Sequence, residues 1–267
     1  MPSESSLKLY NYYINRFYDP KKIKKPKKFL TEISELKNRK GEEITVSTMK
    51  LIMCAIIWKL KTDKKNIKII DQFSRYIKEL KKKANEQEVD PNKYEGNIPK
   101  WEDIEKIRDE TKEPLNHLIL CMYTMIAPRR LLDYTVLKVA MNKKEKLNKS
   151  FNYYDYKDKT ITFNVFKTSK SMNSQTFVIP PELSKIIDKY IKDNKLKNGD
   201  LLFGFHSTLQ LLYRLKKLLG CGVDNIRHSY INYRYSKYNL PPSKEMEEMA
   251  NQLGHSLTTD LRYRKNT

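Results

Sequence analysis

Residues 159–179 read Lys159-Thr-Ile-Thr-Phe-Asn-Val-Phe-Lys-Thr-Ser-Lys-Ser-Met-Asn-Ser-Gln-Thr-Phe-Val-Ile179. Ile161, Phe163 and Val165 alternate with Thr160, Thr162 and Asn164, which is the period of a strand with one buried face. The run Gln175–Ile179 alternates in the same way. The polar stretch Lys167–Ser174 joins the two runs as a loop. Pro180-Pro181-Glu182 then opens a helix, because proline is preorganised for a first helical position. Outside this region the apolar residues recur at helical spacing. The chain is therefore predicted to be mainly α, with a small antiparallel β-sheet.

Upstream, aromatic residues Tyr10, Tyr13 and Phe17 mark a helix from Leu7 to Phe17. Lys21–Lys28 is a basic stretch broken by Pro26, and a short helix follows at Phe29–Leu36. Met49, Ile52, Met53, Ile56, Ile57 and Leu60 define one amphipathic helix, and Ile69, Ile70, Phe73, Tyr76, Ile77 and Leu80 another. The polar run Lys81–Gly96 ends that pattern, with turn signals at Asp90-Pro91-Asn92 and Glu95-Gly96-Asn97. This places a helical domain at residues 1–85, a linker at 86–98 and a second domain at 99–267. The second domain opens with a helix start near Trp101 and continues with an apolar helix, Leu115–Ile126. Beyond the strands its clearest helices are Leu209–Leu219 and Ile226–Tyr238.

The 267 residues carry a net charge of +21, with 32% charged and 39% hydrophobic side chains. Residues 1–95 hold 23 Lys/Arg against 13 Asp/Glu, and the remaining 172 hold 30 against 19, so the excess runs along the whole chain. A folded, basic protein of this kind draws polyanions, since each Lys or Arg near a phosphate releases a counterion. Nucleic acid is the expected partner. The longest apolar run, Leu51–Leu60, contains Lys59 and is too short to span a bilayer, so no membrane partner is expected. Met1-Pro2-Ser3-Glu4 lacks the regions of a signal peptide. Cys54, Cys121 and Cys221 are odd in number and widely spaced, which fits buried thiols in a reducing, intracellular setting. His117, His206, His228 and His255 lack metal-ligand spacing. No Walker A string and no acidic two-metal cluster occur, and neither metal nor cofactor is expected.

Exchange of phosphodiester bonds without metal needs a side-chain nucleophile and guanidinium groups for the extra charge on the non-bridging oxygens. It also needs a proton donor for the leaving oxygen. A tyrosine nucleophile conserves the bond as a phosphotyrosine, so resealing needs no ATP. Four segments supply these parts in order. They are Ala127-Pro-Arg-Arg-Leu-Leu-Asp-Tyr-Thr-Val-Leu-Lys-Val139, the loop Phe166-Lys167-Thr168-Ser169-Lys170, Asn225-Ile226-Arg227-His228-Ser229, and Leu253-Gly254-His255-Ser256-Leu-Thr-Thr-Asp-Leu-Arg-Tyr263. Together they resemble the active-site motifs of the tyrosine recombinases, the phage-type integrase family, over about residues 127–263.

The resemblance implies a C-terminal catalytic domain of that family behind an N-terminal, core-binding-like helical domain that clasps double-stranded DNA. It implies that Arg130, Arg227 and His255 hold the scissile phosphate, that Lys167 protonates the leaving group with Lys170 in reserve, and that Tyr263 attacks. Asp133 takes the place of the supporting acidic residue, and His228 follows the second arginine. Asp224 stands where the family usually has His, three residues before Arg227, and is placed to orient that arginine or a lysine, or to take the tyrosine proton. Lys21, Lys22, Lys24, Lys25, Arg129 and Arg262 are expected on the DNA backbone. The implied activity is site-specific recombination or integration through a 3′-phosphotyrosine, by a dimer or tetramer on paired sites. Two alternatives stand beside it: a type IB topoisomerase-like enzyme, and a DNA-binding relative that has lost catalysis.

Overall fold

The computed structural model describes residues 2, 4–38, 40–64, 67–88, 98–142, 144, 148–169, 172–238 and 243–254. The chain divides into two compact units, Met1–Lys93 and Tyr94–Thr267.

The first unit is all helical: α1 (Glu4–Phe17), α2 (Pro20–Ile23), α3 (Pro26–Ser34), α4 (Val46–Thr62) and α5 (Ile67–Glu88). Its core joins Phe29 and Ile33 of α3 to Ile52, Met53, Ile56 and Leu60 of α4 and Phe73 of α5. Pro26 does not break the basic stretch but starts α3, as Pro20 starts α2 behind its Asp19 N-cap. Ile23, Pro26 and Phe29 are buried at a spacing of three, which leaves Lys21, Lys22, Lys24, Lys25, Lys27 and Lys28 exposed. Helix α5 outruns its apolar pattern because Lys, Ala, Glu and Gln are good helix formers and no breaker intervenes.

The second unit starts with α6 (Trp101–Glu110), α7 (Pro114–Thr124) and the short α8 (Leu131–Thr135). Four strands follow: β1 (Leu137–Ala140), β2 (Asn152–Asp155), β3 (Thr160–Phe163) and β4 (Gln175–Val178). They lie in the order β1-β2-β3-β4. Helices α9 (Pro181–Asp193), α10 (Thr208–Leu219), α11 (Val223–Tyr238) and α12 (Ser243–Gln252) complete it. Leu118 to Thr124 of α7 are all buried, so this helix is the axis of the core. Around it pack Tyr134, Tyr154, Phe163, Leu183 and Ile226.

The mainly α class with a small sheet is as expected, with one difference in the sheet. Strands β2, β3 and β4 form the antiparallel part, whereas β1 joins β2 in parallel. The outer edge of β1 is covered by residues 199–202, through bonds from Gly199 N to Val139 O and from Leu202 N to Leu137 O. Strand β3 stops at Phe163, short of the expected Phe166, because Asn152 Oδ1 accepts from both Asn164 N and Val165 N at 2.7 Å. Those amides are lost to the strand ladder.

Cys121 and Cys221 are buried, as the apolar pattern suggests for Cys121, but Cys54 is only half-buried. Burial pushes the Cys121 thiol up to about 11, so it is not a nucleophile at neutral pH. Among the described residues no helix is long and apolar enough to cross a membrane.

Candidate functional site

Pro128 lies between α7 and α8, and α8 begins only at Leu131 with Arg130 as its N-cap. The two arginines ahead of the helix therefore leave in different directions. Arg129, expected on the DNA surface, is instead 1% exposed. It enters the core because α8 offers Asp133 one turn on, where Arg129 Nε meets Asp133 Oδ2 at 2.8 Å. Its guanidinium lies over the rings of Phe163 and Phe166, at 4.0 and 5.0 Å from their centroids. Arg130 is half-buried. Burial pushes the Asp133 carboxyl up, against the opposing pull of Arg129, Arg227 and Arg130.

Helix α12 ends at Gln252, and the last carbonyls of a helix have no partner within it. Here three arginines supply partners to three consecutive carbonyls. Arg129 Nη1 donates to Gln252 O at 3.0 Å, Arg227 Nη1 to Leu253 O at 2.9 Å, and Arg130 Nη1 to Gly254 O at 3.1 Å. Arg227 Nη1 also holds Pro128 O at 2.7 Å, which ties the first arginine segment to the second. Glycine is required at 254 on two counts. Its φ is +68°, and a Cβ there would lie 2.6 Å from Arg129 Nη2.

The loop after β3 reaches the same point. Thr168 Oγ1 donates to Gly254 O at 3.2 Å, so Arg130 and the residue next to Lys167 share one acceptor. Lys167 is exposed and sits in a turn beyond β3, rather than at the strand end. Asn152 fixes this loop to α8. Its Nδ2 donates to Asp133 O at 2.7 Å and to Val165 O at 2.9 Å, while its Oδ1 takes the two amides already named. Gln175, the first residue of β4, accepts from Arg129 Nη1 at 2.9 Å.

Helix α11 presents Arg227 at 0% exposure and His228 at 7%, whereas Asp224 is exposed in its first turn. That position favours a carboxylate electrostatically, because it faces the positive end of the helix dipole. Tyr230 and Tyr233 pack on Trp101, with ring centroids 5.1 and 6.0 Å away, and Tyr235 is buried. Tyr123 and Tyr134 meet edge-on at 4.9 Å beside the arginines. Burial raises both phenols well above their usual value, so they stay protonated and packed. Lys170, His255, Arg262 and Tyr263 lie outside the described residues.

The described parts of the site thus carry three guanidinium charges and one buried carboxylate, Asp133. Two positive charges remain in excess, offset in part by the carbonyl end of α12, which holds roughly half a negative charge. Such a site favours an anion with several acceptor oxygens. Three buried atoms of the cluster, Tyr123 Oη, Arg129 Nη2 and Asp133 Oδ1, have no hydrogen-bond partner among the described residues. Costs of this kind concentrate at functional sites. The sequence reading missed Asn152, Thr168, Gln175 and the double constraint on Gly254. Gly254 and Thr168 stood within motifs that could have drawn attention to them, whereas Asn152 and Gln175 did not.

No protein-family model matches the sequence, and no curated protein matches it. Among solved structures the chain is similar to XerA recombinase, over 98% of this chain and 87% of that one, with 14% identity and a TM-score of 0.45. It is similar to the Tn1549 transposon integrase in complex with transposon right end DNA, over 98% of this chain and 95% of that one, with 14% identity and a TM-score of 0.47. The same integrase in complex with a circular intermediate DNA is matched over 97% of this chain and 94% of that one, with 14% identity and a TM-score of 0.38. These likenesses are distant, and the functional reading is carried by the side chains of this chain.

Proposed function

We propose that this chain cuts and rejoins DNA through a phosphotyrosine, as a recombinase or integrase of the tyrosine recombinase type. One observation carries the reading. Arg130 and Thr168 both hold the carbonyl of Gly254, and Arg227 holds that of Leu253, directly ahead of His255. Four sequence-distant motifs, each chosen for phosphoryl transfer, thereby meet in one place.

In this reading Arg130, Arg227 and His255 hold the non-bridging oxygens of the scissile phosphate. Tyr263 Oη attacks phosphorus, and its new O–P bond forms as the bond to the 5′ oxygen breaks. Lys167 gives that oxygen its proton. The products are a 3′-phosphotyrosine and a 5′-hydroxyl, and attack by a 5′-hydroxyl reverses the step. Removing one such charge-stabilising donor costs about 10²–10³ in rate. Arg130, half-buried, and Lys167, exposed, are accessible to DNA. Arg227 is 0% exposed, so its engagement goes with release of the carbonyls that hold it. Asp224, exposed at the start of the same helix, is the candidate acceptor for the tyrosine proton. The exposed Lys21, Lys24 and Lys25 of the first unit contact the DNA backbone in the same scheme.

The test is trapping on nicked suicide duplexes carrying a sequence library, with no metal or ATP. The wild-type chain is expected to give a DNA-linked band that survives denaturation, and sequencing the trapped DNA gives the site. The burial of Arg227 and the presence of Asp224 favour a second reading, a DNA-binding relative without catalysis. Binding without any covalent band selects that second reading.

A further inference from the structure

We infer that Arg129 is a positioning residue: it latches the end of α12, the residues directly ahead of His255 in sequence, to the β3–β4 hairpin. The inference rests on the strand-transfer reading for its catalytic consequence, and on geometry alone for the latch. Arg129 donates from two of its three nitrogens and packs with the third. Nε meets Asp133 of α8, and Nη1 forks to Gln175 Oε1 of β4 and to the Gln252 carbonyl of α12. One face lies 4.0 Å from the centroid of Phe163 in β3, and Nη2 packs against Gly254 so closely that a Cβ there would come within 2.6 Å. Three elements beside proposed catalytic groups therefore touch this one side chain: α8 with Arg130, the hairpin with Lys167, and the end of α12, which His255 follows in sequence.

Arg129 is buried, and its Nε and Nη1 are taken by the Asp133 carboxylate, Gln175 and the Gln252 carbonyl, so it acts through what it holds. Lysine cannot replace it. A single ammonium cannot donate along two edges and stack between rings as a planar guanidinium does. Arg129 also lines a cavity of about 420 Å³ together with Ile161, Phe163, Phe177, Tyr230 and Gln252. Truncation to alanine would enlarge that cavity and confuse a packing loss with loss of the latch. Arg129→Lys and Gln175→Leu are the informative variants.

The first readout is amide hydrogen exchange in the folded protein. Arg129→Lys is expected to speed exchange at residues 249–254 at least tenfold, with Leu118–Tyr123 of α7 unchanged. Gln175→Leu, which removes one anchor, gives a smaller effect in the same place. Unchanged exchange at 249–254 overturns the latch.

The second readout compares covalent adduct formation on a trapped-site duplex carrying either the phosphodiester or a neutral methylphosphonate at the scissile position. Arg130→Ala loses most of its effect on the neutral linkage, because one charged non-bridging oxygen has been replaced by methyl. Arg129→Lys is expected to lose roughly 100-fold on both, the cost of an ångström-scale misplacement. A loss confined to the charged linkage makes Arg129 a phosphate contact and overturns the assignment. Failure of the wild-type chain to form any adduct refutes the strand-transfer reading instead, and the exchange measurement still decides the latch.

Discussion

Replacing Asp133 by Asn keeps the shape of the side chain and removes the one buried carboxylate that faces three arginines. Asp133 and Arg129 are each 1% exposed and meet at 2.8 Å. Removing one partner of such a pair leaves an uncompensated buried charge, which costs about 3–5 kcal/mol. For a unit of this size each kcal/mol lowers Tm by 2–4 °C, so a fall of roughly 6–20 °C is expected. The double variant Asp133→Asn, Arg129→Met removes the stranded charge, although it also takes a donor from Gln175 Oε1 and the Gln252 carbonyl. It is expected to recover part of the loss, because an unpaired buried charge costs more than unpaired neutral acceptors. Arg129→Met alone adds a pH signature. Burial already raises the Asp133 carboxyl, and losing Arg129 raises it further. A carboxyl whose folded value is raised favours the folded state when protonated. Stability of this variant should thus be higher at the acid end of the carboxylate range and fall as pH rises through the raised value. Urea unfolding of the wild type and the three variants across that range is the assay. A loss under about 1 kcal/mol in Asp133→Asn, or a double variant no better than the single, would refute the view of a desolvated charge cluster.

Three further outcomes follow from the same geometry. Gly254→Ala places a Cβ against Arg129 Nη2 at a φ of +68°, and adduct formation should fall at least tenfold while DNA affinity holds, as read by trapping and by gel shift. Asn152→Leu strands Asp133 O and two loop amides, and should cost about 2–4 kcal/mol in unfolding, because each orphaned buried group carries its own penalty. Neutralising the exposed Lys21, Lys24 and Lys25 together should flatten the plot of log affinity against log salt by roughly 0.9 per lost phosphate contact. Lys22→Gln should change it less, since Lys22 is held by Glu32 at 2.7 Å.

The hairpin and the helix periods were legible because each follows from one period of burial: two for Ile161, Phe163 and Phe177, and three to four for Ile52, Ile56 and Leu60. The arginine motifs were legible because residue type alone carries their chemistry. What could not be read is which of two adjacent arginines turns inward. That depends on α8 starting at Leu131, so that Asp133 pairs directly with Arg129 Nε rather than with Arg130. Strand β1 was equally hidden. Four residues that directly follow a short helix show no period of their own, and their partner strand lies beyond a connection of eleven residues, 141–151. Asn152 gave no signal, because a polar residue before two tyrosines looks like a turn until its four bonds are seen. The first unit departed from expectation at Pro26 for a similar reason, since proline marks a helix start as readily as a break.

The most direct test of the account is to digest the DNA-linked protein from the trapping experiment and map the peptide that carries the nucleotide. The expected result is a phosphotyrosyl link at Tyr263, absent in Tyr263→Phe, which should still bind DNA. A link at any other residue, such as Tyr230 or Tyr233 of α11, would contradict the account.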